Sequence, residues 1–338
     1  MANGHNSLKR LVHRASEEVH ASAAIGARTS FSEGVNAFRA KLDLQWMNRN
    51  GYREPESIRK RLQRKHESVI SYLEARFGGH YSSYDYLTVP SLVEDCSNKR
   101  IWTCWWQGED DAPDLVRSCI DSVRRNACGR EVVVITDDNL SEYVDVPEWL
   151  IDKVERGVVT RTNFSDFLRL YLLSRYGGIW LDATFYCCAP LSDEVYSAPL
   201  FSIKRPDYLH GSIASGYFAG YSLGCDSAHR ALFAAACDFY LEYWRQSDFL
   251  IDYLLVDYLI VVAMRHSQEL SDEVGAIRPN NPGCDELLKV LGEHFDEVVW
   301  NKLSSETQLF KLTWKTSYPK VTEDGFETFY GRIVEGCL

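Results

Sequence analysis

The chain has 338 residues, 45% hydrophobic and 25% charged, with a formal net charge of −11. This composition excludes disorder, collagen-like repeats and low complexity, and suffices for a sizeable core. Residues 1–80 carry 14 Lys and Arg against 8 Asp and Glu, net +6, and the rest carry 23 against 40, net −17; so acidic a whole argues against general nucleic-acid binding, which needs a basic surface to neutralise phosphates.

No apolar run of about 20 residues is present to span a bilayer; the best stretch, Ile251 to Met264, is interrupted by Asp252 and Asp257. Met1 to Ser16 has no apolar core of a secretory signal, so the expected location is cytoplasmic. The ten cysteines are scattered, without a CxxC pair or a His spaced for zinc, and are expected as buried reduced thiols.

From Ser7 to Phe77 apolar residues recur at three- and four-residue spacing with few β-branched residues, which predicts helices. The last of them, Ile58 to Phe77, sets Leu62, Ile70, Leu73 and Phe77 beside a basic flank of Arg59, Lys60, Arg61, Arg64 and Lys65. Such a helix either docks peripherally on an anionic membrane or packs on the next domain with a solvated basic face. The helical extension is placed at 1–95 and the main domain at 96–338.

Arg100 to Trp106 reads as a strand ending at Gln107 and Gly108, Ala112 to Asn126 as a helix, and Glu131 to Thr136 as a buried parallel strand. Thr162 or Asn163 caps a helix that runs to Tyr176; Gly177 and Gly178 stop it, and Ile179-Trp-Leu181 begins a third strand. Strand alternating with helix predicts an α/β sheet, whose ligands sit beyond the carboxyl ends of the strands. Trp105, Trp106 and Gln107 end the first strand and Asp182 ends the third, so one crevice can hold both groups.

A carboxylate at a strand tip suits a hard cation such as Mg²⁺ or Mn²⁺ that also holds a diphosphate. Asp166 and Arg169, at i and i+3 on the preceding helix, are placed to pair.

Ser165-Asp166-Phe-Leu-Arg169 followed by Tyr176-Gly177-Gly178-Ile-Trp-Leu-Asp182 resembles the S-D-x-x-R…Y-G-G-x-[YW]-x-D signature of sugar-transferring enzymes with DxD-type sites. Trp105-Trp106-Gln107-Gly108, Ala112-Pro113 and Asp182-Ala-Thr184 are similar, more closely, to the capsular polysaccharide synthesis family of bacterial glycosyltransferases. That family is distantly related to fungal initiating mannosyltransferases and clostridial glucosylating toxins. The likeness is strong from Arg100 to Tyr186, looser to Lys315, and absent from the N-terminal helices.

The resemblance implies a GT-A-like nucleotide-sugar-binding fold, a Rossmann-like mixed sheet flanked by helices. It implies transfer of a sugar from a UDP-sugar to a polysaccharide or lipid-linked glycan, with retention of configuration, in capsular or cell-surface polysaccharide synthesis. Trp105 then stacks on the base, with Trp106 and Gln107 beside it; strand alternation would set Trp106 on the opposite face. Asp166, Arg169 and Gly178 hold the donor sugar, and Asp182 contacts ribose, metal or both.

Thr184 stands where the wider clan has its second Asp. Either a later acid among Asp285, Asp296, Glu306, Glu323, Asp324 and Glu327 completes an Mn²⁺ or Mg²⁺ site, or dependence on metal is weaker. Asp257, with Asp252, Tyr240, Tyr243, Tyr253 and Trp244 near it, is a candidate for sugar binding or for an amphipathic core helix. Lys311 and Lys315 are candidates for clamping the diphosphate, or for solvated lysines of an edge strand. Two rival functions keep the same fold: a toxin-like transferase acting on protein side chains, and a catalytically silent nucleotide-sugar-binding protein.

Overall fold

The computed structural model describes residues 3–94, 99–206 and 208–338. Three long helices come first, α1 (Asn3–Arg28), α2 (Phe31–Arg49) and α3 (Glu56–Ser83). Ser30 caps α2 through its side chain. The first two helices cross where Gly34 meets Gly26, so closely that a Cβ on Gly34 would lie 2.6 Å from the Ser22 carbonyl oxygen. The boundary expected at 95/96 lies outside the described residues.

The apolar stripe of α3 is in the core: Leu62, Ile70, Leu73 and Phe77 are all buried. Its basic flank is paired rather than free. Lys60 meets Glu56, Arg61 meets Asp43 and Arg64 meets Glu33, while Lys65 is buried against Asp252 at 2.7 Å. His66 bridges Tyr258 Oη (2.6 Å) and the His210 carbonyl oxygen (2.8 Å), and Glu54 accepts from the His210 amide at 2.6 Å. Of the two readings of this helix, packing is the one observed, since Val69, Ile70, Leu73 and Phe77 share one core with the rest of the chain; α3 keeps no exposed apolar stripe with which to enter a bilayer. Among the described residues no helix is long and apolar enough to cross a membrane.

The main sheet has the order β2-β1-β3-β6-β5. Strands β1 (Arg100–Cys104), β2 (Glu131–Ile135) and β3 (Gly178–Leu181) run parallel, with Ile101 opposite both Val132 and Ile179. Strand β5 (Leu200–Ser202) and β6 (Ser222–Cys225) complete the sheet, β6 being antiparallel to both of its neighbours. A second, two-stranded sheet pairs β4 (Phe185–Cys187) with β7 (Leu309–Lys311). This is the mixed α/β sheet flanked by helices that was expected, and the apolar runs explain it, since β3 is buried along its whole length.

Helix α4 spans Asp114–Asn126, and a further helix spans Arg161–Tyr176. The cap of the latter is Thr160, not Thr162 or Asn163: its hydroxyl accepts from the Asn163 amide. Its end is as expected, with Gly177 at φ 69, a conformation that favours glycine. Strand β1 stops at Cys104, two residues before the expected end, and the chain turns through Gly108 at φ 82. Among the described residues nine cysteines are free thiols, most of them buried or half-buried.

Candidate functional site

The carboxyl ends of β1 and β3 open onto a cleft with two lobes. One, of about 550 Å³, is lined by Trp105, Trp106, Gln107, Thr184, Lys311, Trp314 and Lys315; the other, of about 420 Å³, by Tyr208, Ser212, Gly220, Tyr221, Asp257 and Asp285. Thr162, Arg169, Asp182 and Tyr253 line both, and Asp166 lines the second. Volumes of this order are those of small-molecule sites.

Arg169 stands at the junction. Its Nη2 lies 3.1 Å from Asp166 Oδ1 and 3.4 Å from Asp182 Oδ1, and its Nη1 donates to the Gly220 carbonyl oxygen at 2.6 Å. The helical i,i+3 spacing sets the first contact; the turn after β3 sets the second. The pair is not the surface ion pair that its spacing alone allows, because Asp166 and Arg169 are 6% and 7% exposed. Burial drives Asp166 up to about 7, against the pull of Arg169 and with help from Asp182 and Asp257.

Asp182 opens a tight turn, in which the Phe185 amide donates to the Asp182 carbonyl oxygen at 3.0 Å. Its Oδ1 accepts from Trp180 Nε1 at 3.0 Å, and its Oδ2 lies 3.2 Å from Lys311 Nζ. Burial alone would raise its pKa, but Lys311 and then Arg169 hold it below the ordinary carboxylate value. Lys311 also donates to Thr184 Oγ1 at 2.6 Å, a meeting made by the β4–β7 register in which Phe185 faces Lys311.

Asp257, in the first turn of the Leu255–His266 helix, accepts from Ser212 Oγ at 2.7 Å through Oδ2. Its Oδ1 is buried with no hydrogen-bond partner among the described residues, and burial pushes its pKa up to about 6. Gly220 makes room for it: a Cβ there would lie 2.5 Å from that oxygen.

Trp105 meets Trp314 edge to face, ring centroids 5.5 Å apart. Trp106 stacks on Phe164 at 5.2 Å, and the Arg161 guanidinium lies over its ring at 4.9 Å. As alternation predicts, the two tryptophans pack on opposite sides of the sheet, Trp105 with Ala112, Val116 and Val134 and Trp106 with the core around Trp102 and Phe164, although β1 has ended before them; both still line one lobe.

Other expected residues are elsewhere. Gly178 opens β3, at the far end of the strand from Asp182, is buried and lines neither lobe. Tyr240, Tyr243 and Trp244 are fully buried in the core, and Asp252 belongs to the Lys65 pair. Of the acids that could complete a metal site, Asp285 reaches the cleft but is taken by Arg205 (2.6 Å) and Tyr208 (2.8 Å). Asp296 caps the Glu297–Ser304 helix, Glu327 pairs with Arg332, and Glu306, Glu323 and Asp324 are exposed and line neither lobe.

No group of three His, Cys, Asp or Glu side chains capable of holding a metal ion occurs among the described residues. The donor set at Asp182 fits a divalent cation poorly, since both of its oxygens already face cationic or N–H groups.

Motif reasoning missed the wall of the second lobe: Gly220, Tyr221, Arg205, Tyr208 and Ser212 carry no recognisable pattern. It also missed Leu44, Met47 and Asn48 of α2 and Tyr52, which bring the N-terminal helices to the cleft.

A family model described as "Capsular polysaccharide synthesis protein" matches residues 49–333. The chain belongs to that family. It is 34% identical over 96 residues to the O-glycosyltransferase braB of Annulohypoxylon truncatum, a match covering 26% of this chain and spanning 23% of that relative's length. A solved structure, PaToxG Glycosyltransferase, aligns over 75% of this chain and 99% of its own at 11% identity and a TM-score of 0.37.

Proposed function

We propose that the chain is a glycosyltransferase that moves a sugar from a nucleotide-sugar donor, UDP-linked, onto a polysaccharide or lipid-linked glycan in cell-surface polysaccharide synthesis. The observation that carries this reading is the junction of the two lobes, where the buried Asp166 and Arg169 meet the half-buried Asp182. The first lobe takes the nucleotide, with the base on Trp105 and the diphosphate near Lys311 and Lys315. The second lobe takes sugar: tyrosine faces and carboxylates line it, as suits rings with apolar faces and hydroxyl rims.

In the reaction, the bond between the sugar C1 and the β-phosphate oxygen breaks with its electron pair staying on the diphosphate. The acceptor hydroxyl oxygen bonds to C1, and its proton passes to the departing phosphate. Asp166 and Arg169 orient the donor ring, and Asp257 offers its open oxygen to an acceptor hydroxyl. Attack from the face that the diphosphate leaves retains configuration.

A protein acceptor would need a broad, flat mouth. Tyr52, Tyr208, Tyr221 and Tyr253 instead line the second lobe, which favours a glycan. The test is release of UDP from a panel of UDP-sugars by the native chain beside Asp182→Ala and Asp166→Ala. Release by the native chain alone is expected; equal background in all three proteins would leave a silent nucleotide-sugar-binding protein.

A further inference from the structure

The turn at Asp182 presents three facts together. Asp182 Oδ2 faces the ammonium of Lys311 at 3.2 Å, and Oδ1 faces Trp180 Nε1 at 3.0 Å and Arg169 at 3.4 Å. At the position two residues on, where a second acid would complete a cation site, the hydroxyl of Thr184 accepts from the same ammonium at 2.6 Å. Of Asp285, Asp296, Glu306, Glu323, Asp324 and Glu327, only Asp285 lines the cleft, and it is held by Arg205 at 2.6 Å.

A divalent ion on Asp182 would therefore stand beside two protein cations, with one available carboxylate and a neutral hydroxyl as its protein ligands. Mg²⁺ and Mn²⁺ do bind through one or two carboxylates together with substrate phosphates, but not next to an ammonium that fills the same position.

Resting on the nucleotide-sugar reading, we propose that Lys311 is the built-in cation of this site: its ammonium takes the place of a divalent metal beside Asp182 and Thr184 and neutralises the β-phosphate as the sugar leaves. An ammonium has three N–H donors; Thr184 and Asp182 engage two, and the third is open to a phosphate oxygen. The strand pairing that places Phe185 opposite Lys311 makes the position rigid, and Lys311 Nζ lies over the rings of Phe185 and Tyr221 at 5.6 and 5.7 Å. Fixed charge of this kind stabilises a leaving group without reorganisation during the reaction. Lys315, exposed on the rim of the same lobe, adds a second positive charge for the diphosphate.

The experiment is calorimetric titration of the full chain with UDP and with UMP, in EDTA and again with Mn²⁺, for the native protein, Lys311→Ala and Lys311→Arg. The native chain is expected to bind UDP with a Kd that changes less than about twofold between EDTA and Mn²⁺. Lys311→Ala should weaken UDP about tenfold or more in EDTA, through loss of one charge-assisted contact, and leave UMP nearly unchanged because it lacks the β-phosphate. In that variant Asp182 Oδ2 is released, so Mn²⁺ should restore part of the UDP affinity, and Lys311→Arg should keep most of it without metal.

A native chain whose UDP affinity collapses in EDTA and returns with Mn²⁺ overturns the proposal while leaving the nucleotide-sugar reading intact. So does Lys311→Ala binding UDP as tightly as the native chain. If no arm binds UDP or another nucleoside diphosphate, the nucleotide-sugar reading falls, and this inference with it.

Discussion

Arg169 holds Asp166, one helical turn before it, at 3.1 Å in a place where neither side chain is more than a tenth exposed. The same guanidinium reaches Asp182 and the Gly220 carbonyl, so it ties the helix, the turn after β3 and the far lobe together. Arg169→Ala takes this donor from Asp166 and the Gly220 carbonyl and one of three from Asp182, and should cost about 3–5 kcal/mol in chemical unfolding. Arg169→Lys keeps the charge but not the planar fork; it should fold, and release UDP from a UDP-sugar on the order of 10²-fold more slowly. Native rates in Arg169→Lys would remove Arg169 from the site.

Gly220 faces the open oxygen of Asp257 across a gap that admits no Cβ. Gly220→Ala should therefore displace Asp257 or Arg169 and cut sugar transfer by about tenfold or more, while UDP binding in the other lobe is retained. A KM and kcat unchanged from native would show that Asp257 takes no part.

Trp105 and Trp106 should separate in their effects. Trp105→Ala is expected to weaken UDP binding by ~1–3 kcal/mol, the worth of a base stacked on an aromatic ring. Trp106→Ala removes a ring already stacked on Phe164 and packed against the core, so its effect should fall on thermal stability more than on UDP affinity. Reversed outcomes would move the base to Trp106.

Both raised carboxyls predict a pH dependence of stability. Asp166 lies near 7 and Asp257 near 6 in the fold, against an ordinary value of 3.8. Between about pH 4 and those values the folded chain holds protons that the unfolded chain has released, so each group lowers stability as pH rises, by at most ~1.4 kcal/mol per unit. Asp257→Asn removes one such group. Its unfolding free energy relative to native should therefore improve from pH 4 to 6 and level off above; a difference independent of pH would refute the shift. Donor binding that uses ionised Asp166 should weaken as pH falls below about 7.

Lys65 and Asp252 form a buried ion pair that joins α3 to the turn before the Leu255–His266 helix. Lys65→Met strands a buried carboxylate and should cost about 3–5 kcal/mol in urea unfolding, while Lys60→Met, on an exposed pair, should cost less than about 1 kcal/mol. With its apolar stripe in the core, α3 should not bring the chain down with anionic liposomes, and sedimentation at low salt would reveal the contrary.

The elements of the sheet were legible because each is local. The Glu131–Ile135 run, the Gly177 stop and the i,i+3 spacing of Asp166 and Arg169 need only neighbours in the chain to be read. Boundaries were less legible where a turn competed with a strand: Trp105 and Trp106 continue the apolar pattern of β1 and keep its alternation of faces, but the strand has ended at Cys104 and the chain turns toward Gly108. The basic flank of α3 shows the same limit, since a lysine on an amphipathic helix looks alike whether water or Asp252 faces it.

By itself the sequence determined an α/β sheet with Trp105 and Asp182 at the tips of two parallel strands, and a carboxylate–guanidinium pair on the helix between them. Only the tertiary structure decided that Lys311, 127 residues beyond Thr184, stands at that turn, that Gly178 lies at the wrong end of its strand, and that α2 walls the second lobe. The reason is physical: hydrophobic period and capping act over a few residues, whereas strand register and helix packing bring together charges whose separation along the chain carries no signal of their meeting.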